Sequence, residues 1–283
     1  MAPKTATSAR RQRLGTELRR LRERAGLSVT EGARQLGVSQ AQLSNIEASR
    51  FGVSADRLRS MARIYHCCDD AYIDGLIELA TDQKGGWWET FREALPAALL
   101  ELAEIEHHAV KLHAANTAHV PGLLQITDHA RAIYSHAVPA FSRRDVEHRV
   151  NHRLQRQALL DEDNPTPYRA IIHEAALRVP VGGTTVAKRQ LEHLLVQGER
   201  EHITIQVIPF AIGAYPGSGQ TLLYIHGTVP RLDTVSLDQS HGPALIDAEA
   251  ELDTYRNLLK HMEAVALSPK KSRAFIHNLS TEL

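Results

Sequence analysis

Cysteine is nearly absent from the 283 residues: there are two, Cys67 and Cys68, adjacent in sequence. Neighbouring cysteines rarely bridge, and two make no framework, so a disulfide-stapled scaffold is excluded and a reducing compartment suits the chain. Long apolar runs are also missing. No stretch of about 18 apolar residues occurs, which excludes a membrane-spanning helix. The basic start, Lys4 to Arg13, leads into no apolar segment, so no secretory signal is expected and a cytoplasmic location is. There is no internal repeat and no heptad run long enough for a zipper. The glycine-rich Gly217-Ser218-Gly219-Gln220 lacks the Lys-Ser/Thr of a phosphate-binding loop and reads as a hairpin turn.

What is present is ordinary globular composition, 43% hydrophobic and 23% charged. At about 150 residues per domain the length suggests two domains. The net charge of zero hides an asymmetry. Residues 1–66 carry 13 Lys+Arg against 5 Asp+Glu, a net of +8, so the remainder is −8. A nucleic-acid-binding module joined to an acidic partner domain has this charge split.

Residues 1–10 read as a basic arm without regular structure. From Arg11, Leu14, Leu18, Leu21 and Ala25 recur at helical spacing, and Gly26 ends the helix. Ser28 with Glu31, and Ser39 with Gln42, have capping-box spacing, and Gly37 supplies the turn between the two short helices they open. Leu43 and Ile46 point inward, leaving Gln40, Ala41, Ser44 and Asn45 outside. A helix–glycine–helix of this size presents its second helix to a DNA major groove, where Gln and Asn amides can pair with adenine. A further helix runs from Ser54 through Leu58, Met61, Ala62 and Tyr65. Residues 11–68 are thus read as a helix-turn-helix domain and 69–86 as a helical linker.

The stretch Arg13 to His66 resembles the Cro/repressor-type, or XRE-family, helix-turn-helix. The resemblance is carried by Leu21-Arg22-Glu23-Arg24-Ala25-Gly26-Leu27-Ser28, Ala33-x-x-Leu36-Gly37-Val38-Ser39 and Leu43-Ser44-x-Ile46-Glu47. It implies a five-helix bundle in which Arg22 and Glu47 form a structural ion pair. It also implies that Ser39, Gln40, Ala41, Gln42, Ser44 and Asn45 meet bases and phosphates, with Arg50 on the DNA backbone. Two positions depart from the family. Val29 replaces a frequent phosphate-clamping Gln, and Gly32 replaces a core Leu at a cost of about 1 kcal/mol to its helix.

Residues 87–283 read as one α/β (α+β) domain following the all-α N-terminal bundle. Helical patterns are expected over 88–111 (with Pro96 beginning or kinking a segment), 127–138, 142–160, 185–199, 248–266 and 269–279. Strands are expected over 169–173, 203–208, 221–225 and 234–237. Trp87-Trp88, Val120-Pro121-Gly122-Leu123-Leu124-Gln125, Arg153-x-x-Arg156-Gln157, Glu174-Ala175-Ala176-Leu177-Arg178 and Ile205-Gln206-Val207-Ile208-Pro209-Phe210 resemble the C-terminal domain of WhiJ-like actinobacterial regulators. That resemblance implies a regulator working with a small partner protein encoded nearby, and it supplies no catalytic mechanism.

Sixteen histidines raise the question of a metal. His107, His108 and His113, or His148 with His152, are the best ligand sets. No cysteine or carboxylate accompanies them at ligand spacing, so no metal or other cofactor is expected and surface histidines are. His173-Glu174 is the one candidate acid/base pair, and no nucleophile is placed beside it. Pro121, Leu123, Leu124, Gln125 and Phe210 form the candidate ligand or partner site. The resulting expectation is a homodimeric transcription regulator binding double-stranded DNA, whose second domain takes a small-molecule effector or a small protein. The rivals are a scaffold module for the partner protein and an enzyme fused to a DNA-binding domain.

Overall fold

In a computed structural model describing residues 8–81, 85–239 and 242–283, the chain divides into two units, 1–86 and 87–283. The first is all helix: α1 (Ala9–Arg24), α2 (Val29–Gln35), α3 (Gln40–Glu47), α4 (Ala55–Ile64) and α5 (Asp70–Thr81). Serine side chains cap the first four helices. Ser8, Ser28, Ser39 and Ser54 each accept a hydrogen bond from the backbone N–H three residues on, satisfying donors a helix start otherwise leaves orphaned. Gly26 and Gly37 take left-handed φ values of 71° and 66°, ending α1 and the turn after α2.

Three expectations for this unit are corrected. The first helix begins at Ala9, inside the expected arm, and Ala9 and Arg10 are buried; residues 1–7 lie outside the described residues. Residues 70–81 are part of the core rather than a linker. α5 packs on α1 and α4, with Tyr72, Ile73 and Leu76 buried, and the Tyr72 hydroxyl donates to Glu17 Oε2 at 2.5 Å. Gly32 is a fit rather than a weakness. A Cβ there would lie 2.9 Å from Arg22 Cδ and 3.3 Å from Leu43 Cδ2, so only glycine lets α2 lie over the arginine stem.

The second unit is a three-layer α+β domain. Its sheet has the order β3-β2-β1-β4-β5-β6, with β1 (Lys111–Asn116), β2 (Tyr168–His173) and β3 (Ile203–Ile208) mutually parallel. β4 (Leu222–His226), β5 (Thr234–Leu237) and β6 (Ala244–Ile246) continue antiparallel. The helices are α6 (Ala97–His107), α7 (Thr127–Ser135), α8 (Arg143–Gln157), α9 (Glu174–Arg178), α10 (Thr184–Gln197), α11 (Glu249–Val265) and α12 (Pro269–Glu282). One sheet face, with Leu112, Ala114, Ala170, Ile172 and Val207, packs under residues of α6, α10 and α12. The other, with Ala115, Ile171, Tyr224 and Val235, packs on Leu252, Leu259 and Met262 of α11. The exposed edge of β3 is blunted by the start of α12: Ser272 Oγ accepts from Val207 N–H, and Leu267 N–H donates to Val207 O.

The helical pattern expected to run to Lys111 stops at His107, and Lys111–Asn116 is instead a central strand. β6 and α9 were not expected. The 217–220 stretch is not a hairpin turn, since β3 and β4 lie three places apart in the sheet. Gly217 takes φ 81° and leaves room for Leu258 of α11, 2.9 Å from where its Cβ would be.

Candidate functional site

In the first unit the candidate site is the outer face of α3 and what holds it. Arg22, buried on α1, donates from Nε and Nη2 to Glu47 Oε1 and Oε2 at 2.7 and 2.9 Å, and from Nη1 to Leu27 O at 2.7 Å. The Glu47 hydrogen bonds hold the guanidinium pKa above its usual value. One side chain thus ties α1, the α1–α2 turn and the end of α3 together, with two planar forks matched to each other. At Gly15 the α1–α3 approach is tighter still: a Cβ there would be 2.5 Å from Glu47 O.

Held this way, α3 turns Leu43 and Ile46 inward. Ser39, Gln40, Ala41 and Ser44 are exposed, and Gln42 and Asn45 half-buried. Ser39 Oγ is committed to capping Gln42 N–H at 3.1 Å. Arg50 is exposed just past the helix, and its Nη1 donates to Asn45 Oδ1 at 3.3 Å. The other expected residues therefore form one polar surface, with Arg50 folded back over Asn45.

In the second unit the 120–126 loop is clamped by polar side chains. Gln157 Nε2 donates to Gly122 O and Gln125 O, and Gln190 Nε2 to Leu124 O while its Oε1 accepts from Ile126 N–H. Gln125, itself buried, donates to Val120 O and accepts from Arg153 Nη1 at 2.5 Å. One turn on, Arg156 pairs through two hydrogen bonds with fully buried Glu106, at 2.7 and 2.5 Å. Burial works against the Arg156 charge, but the Glu106 carboxylate outweighs it and raises the pKa. Pro121 and Leu123 line a cavity of about 140 Å³ above the sheet, Leu124 is core, and Phe210 stands exposed against the His173 ring, not on that cavity. The five expected residues do not converge. Arg153, Asn116 and Ser236, which do line the cavity with Pro121 and Leu123, were missed; the Arg153-x-x-Arg156-Gln157 spacing was the available signal.

The acid/base pair is occupied structurally. Glu174 Oε1 accepts from Arg178 and Oε2 from Phe210 N–H at 2.8 Å, while His173 Nδ1 accepts from Ala175 N–H. The surface-histidine expectation fails for three positions: His113, His129 and His152 are buried, His152 against Trp87 and Phe91. Among the described residues no group of three or more His, Cys, Asp or Glu is placed to hold a metal ion, and no helix is long and apolar enough to cross a membrane.

Comparison with known families agrees with this division. A model described as "Helix-turn-helix domain" matches residues 13–74, and one described as "Domain of unknown function (DUF5753)" matches residues 99–278, well over half of the chain. The chain belongs to the DUF5753 family. Its helix-turn-helix match spans most of α1, all of α2 to α4 and the start of α5, and marks a DNA-binding regulator. The DUF5753 match begins within α6 and ends within α12, so the sheet, the loop clamp and the cavity all belong to the family domain. No curated protein and no solved structure matches the chain.

Proposed function

We propose that this protein is a sequence-specific transcription regulator of the XRE type, close to the WhiJ-like group, acting in the cytoplasm. α3 enters the major groove, where Gln40, Ala41, Ser44 and Asn45 read base edges, Ser39 and Gln42 sit over the backbone at the helix start, and Arg50 takes a phosphate. Two copies bind a two-fold site with half-sites about one turn, ~34 Å, apart. The DUF5753 domain dimerises and takes an effector or a small partner protein. Whichever of these binds changes DNA affinity by favouring one spacing of the two recognition helices.

The observation that carries this reading is the polar outer face of a serine-capped α3, locked by Arg22–Glu47, within residues 1–66, which carry a net charge of +8. The test is selection of genomic fragments by the full chain, followed by anisotropy titrations over a salt series. Gln40→Ala and Asn45→Ala should each lower affinity for the selected site by about 1–3 kcal/mol and leave non-specific binding unchanged. Arg50→Ala should weaken all sequences alike and reduce the salt slope by about 1. Unchanged binding and slope in all three variants would remove α3 as the reading helix.

A further inference from the structure

We propose that the open edge of β3, beside the end of α10 and the start of α12, receives an extended peptide of a partner protein as a short added strand, with one apolar side chain in the cleft there and an acidic neighbour. This rests on the reading of the DUF5753 domain as a partner-binding domain and names the contact it makes.

Hydrogen-bond parity fixes which backbone groups face that edge. In the parallel pairing of β2 with β3, Tyr168 N–H donates to His202 O, and the register Tyr168↔Ile203 carries the alternation on. Residues 202, 204, 206 and 208 therefore turn their backbone groups to β2, and Ile203, Ile205 and Val207 turn theirs outward. Three of the six outward groups are used within the chain. Ile203 N–H donates to Arg200 O, Val207 N–H donates to Ser272 Oγ, and Val207 O accepts from Leu267 N–H. The other three, Ile203 O and both groups of Ile205, have no hydrogen-bond partner among the described residues. Ile203 and Ile205 are 4% and 6% exposed, and both line a cleft of about 280 Å³. Buried backbone groups are almost always paired, so a gap of this kind calls for partners from outside the chain. Unpaired groups in a row on a strand edge are the template for strand addition.

The walls of the cleft name the occupant. Ile205 shares its core with Leu194 of α10 and Ile276 of α12, and both of these line the cleft. In an antiparallel pair the residue opposite exchanges both backbone hydrogen bonds and puts its side chain on the same face. One peptide residue opposite Ile205 thus satisfies both of its free groups and drops its side chain among Leu194, Leu195 and Ile276. The residue two positions further on gives its N–H to Ile203 O. Water offers the backbone groups partners and leaves the apolar walls unfilled. Amides on either side of an aliphatic side chain meet both needs, and that is a peptide residue. The added strand is short, because Leu267 and Ser272 already occupy the edge at Val207. Arg273, tied to Leu195 O and Glu199 Oε1, bounds the cleft on the α10 side. Lys270 on the cleft wall is exposed and makes no ion pair among the described residues, so an acidic side chain beside the apolar one complements it.

The test selects a displayed library of random nine-residue peptides on the immobilised full chain, and remakes enriched sequences as labelled peptides for anisotropy. Enriched peptides should carry an apolar residue with an acidic neighbour. N-methylation of that apolar residue removes its hydrogen bond to Ile205 O and should weaken binding at least tenfold. N-methylation of either adjacent residue, whose N–H points away from β3, should change it no more than twofold. These changes lie in the peptide, so the fold of the protein is not at issue. Lys270→Glu, a change at an exposed side chain, should weaken binding at least threefold. Hydrogen exchange over residues 203–207 should slow by about one amide, that of Ile205, when peptide binds. No enriched peptide, equal losses from N-methylation at all three positions, full affinity in Lys270→Glu, or unchanged exchange over 203–207 would each overturn the proposal. DNA titrations on the same preparation separate the two readings. Peptide bound in this way without DNA binding keeps the added strand and ends the regulator, whereas DNA binding without peptide does the reverse.

Discussion

Mild acid should destabilise the DUF5753 domain, and its three buried histidines supply the larger part of the effect. His113 on β1, His129 on α7 and His152 on α8 are 6%, 2% and 2% exposed. His113 and His152 have a buried Nε2 without a partner, and His129 has neither ring nitrogen paired. Burial pushes their pKa values down to about 3, 4 and 3, reinforced by Arg169 and Lys111 near the first, His119 and Arg153 near the second, and Arg156 near the third. In the unfolded chain each titrates near 6.5. Below that pH the unfolded state binds protons that the folded state refuses, so stability is full above about pH 7 and falls as the pH drops. Between about pH 7.5 and 5.5 the loss is about 1.3 kcal/mol per histidine, and it is the same for any folded-state pKa below about 4.5. Three such groups remove about 4 kcal/mol, a large share of the ~5–15 kcal/mol of a typical domain. Trp87 and Trp88 are the only tryptophans and both lie in this unit, so urea titrations followed by tryptophan fluorescence report it selectively. With a slope of about 2 kcal/mol per molar, the midpoint should drop by about 2 M. His152→Phe should remove about a third of the shift. An unchanged midpoint across this pH range would refute the assignment of these histidines as buried and neutral.

Other perturbations follow from buried pairs and close approaches. Arg22→Ala strands Glu47 and should cost the first unit about 3–5 kcal/mol, whereas the double variant Arg22→Met with Glu47→Leu should recover most of it; thermal melts by far-UV circular dichroism compare the two. Glu106→Gln leaves Arg156 half-paired in the interior and should lower the urea midpoint of the second unit by an amount equivalent to about 3 kcal/mol, read by tryptophan fluorescence. Gly15→Ala gains about 1 kcal/mol of helix propensity, but its methyl meets Glu47 O on α3. Overpacking there costs about 2–3 kcal/mol, so a net loss in the melting of the first unit is expected.

Local signals carried the first unit and failed selectively in the second. Ser28, Ser39 and Ser54 announced their helices because a cap acts within three residues, and Gly26 and Gly37 their turns because a left-handed φ is a single-residue property. The polar face of α3 was legible for the same reason: Leu43 and Ile46 fix which side is inward. β1 was not legible. Lys111-Leu-His-Ala-Ala-Asn116 has no β-branched residue and no alternation, since Ala114 and Ala115 are buried on opposite faces of the sheet. Its identity comes from β2 and β4 on either side. The same holds for α5, whose apolar stripe was visible but whose place in the core depends on Tyr72 reaching Glu17, 55 residues away.

What the sequence determined by itself was the order of capped helices, the charge split and the polar face of α3, all properties of neighbours along the chain. Tertiary structure alone decided which charges found partners. Arg153 and Arg156 are the same residue on one face of one helix, and nothing local distinguishes them. Glu106, brought to Arg156 from 50 residues away, leaves one guanidinium neutralised and the other facing a cavity. Burial and pairing are set by distances across the fold, and those exist only once the chain has closed on itself.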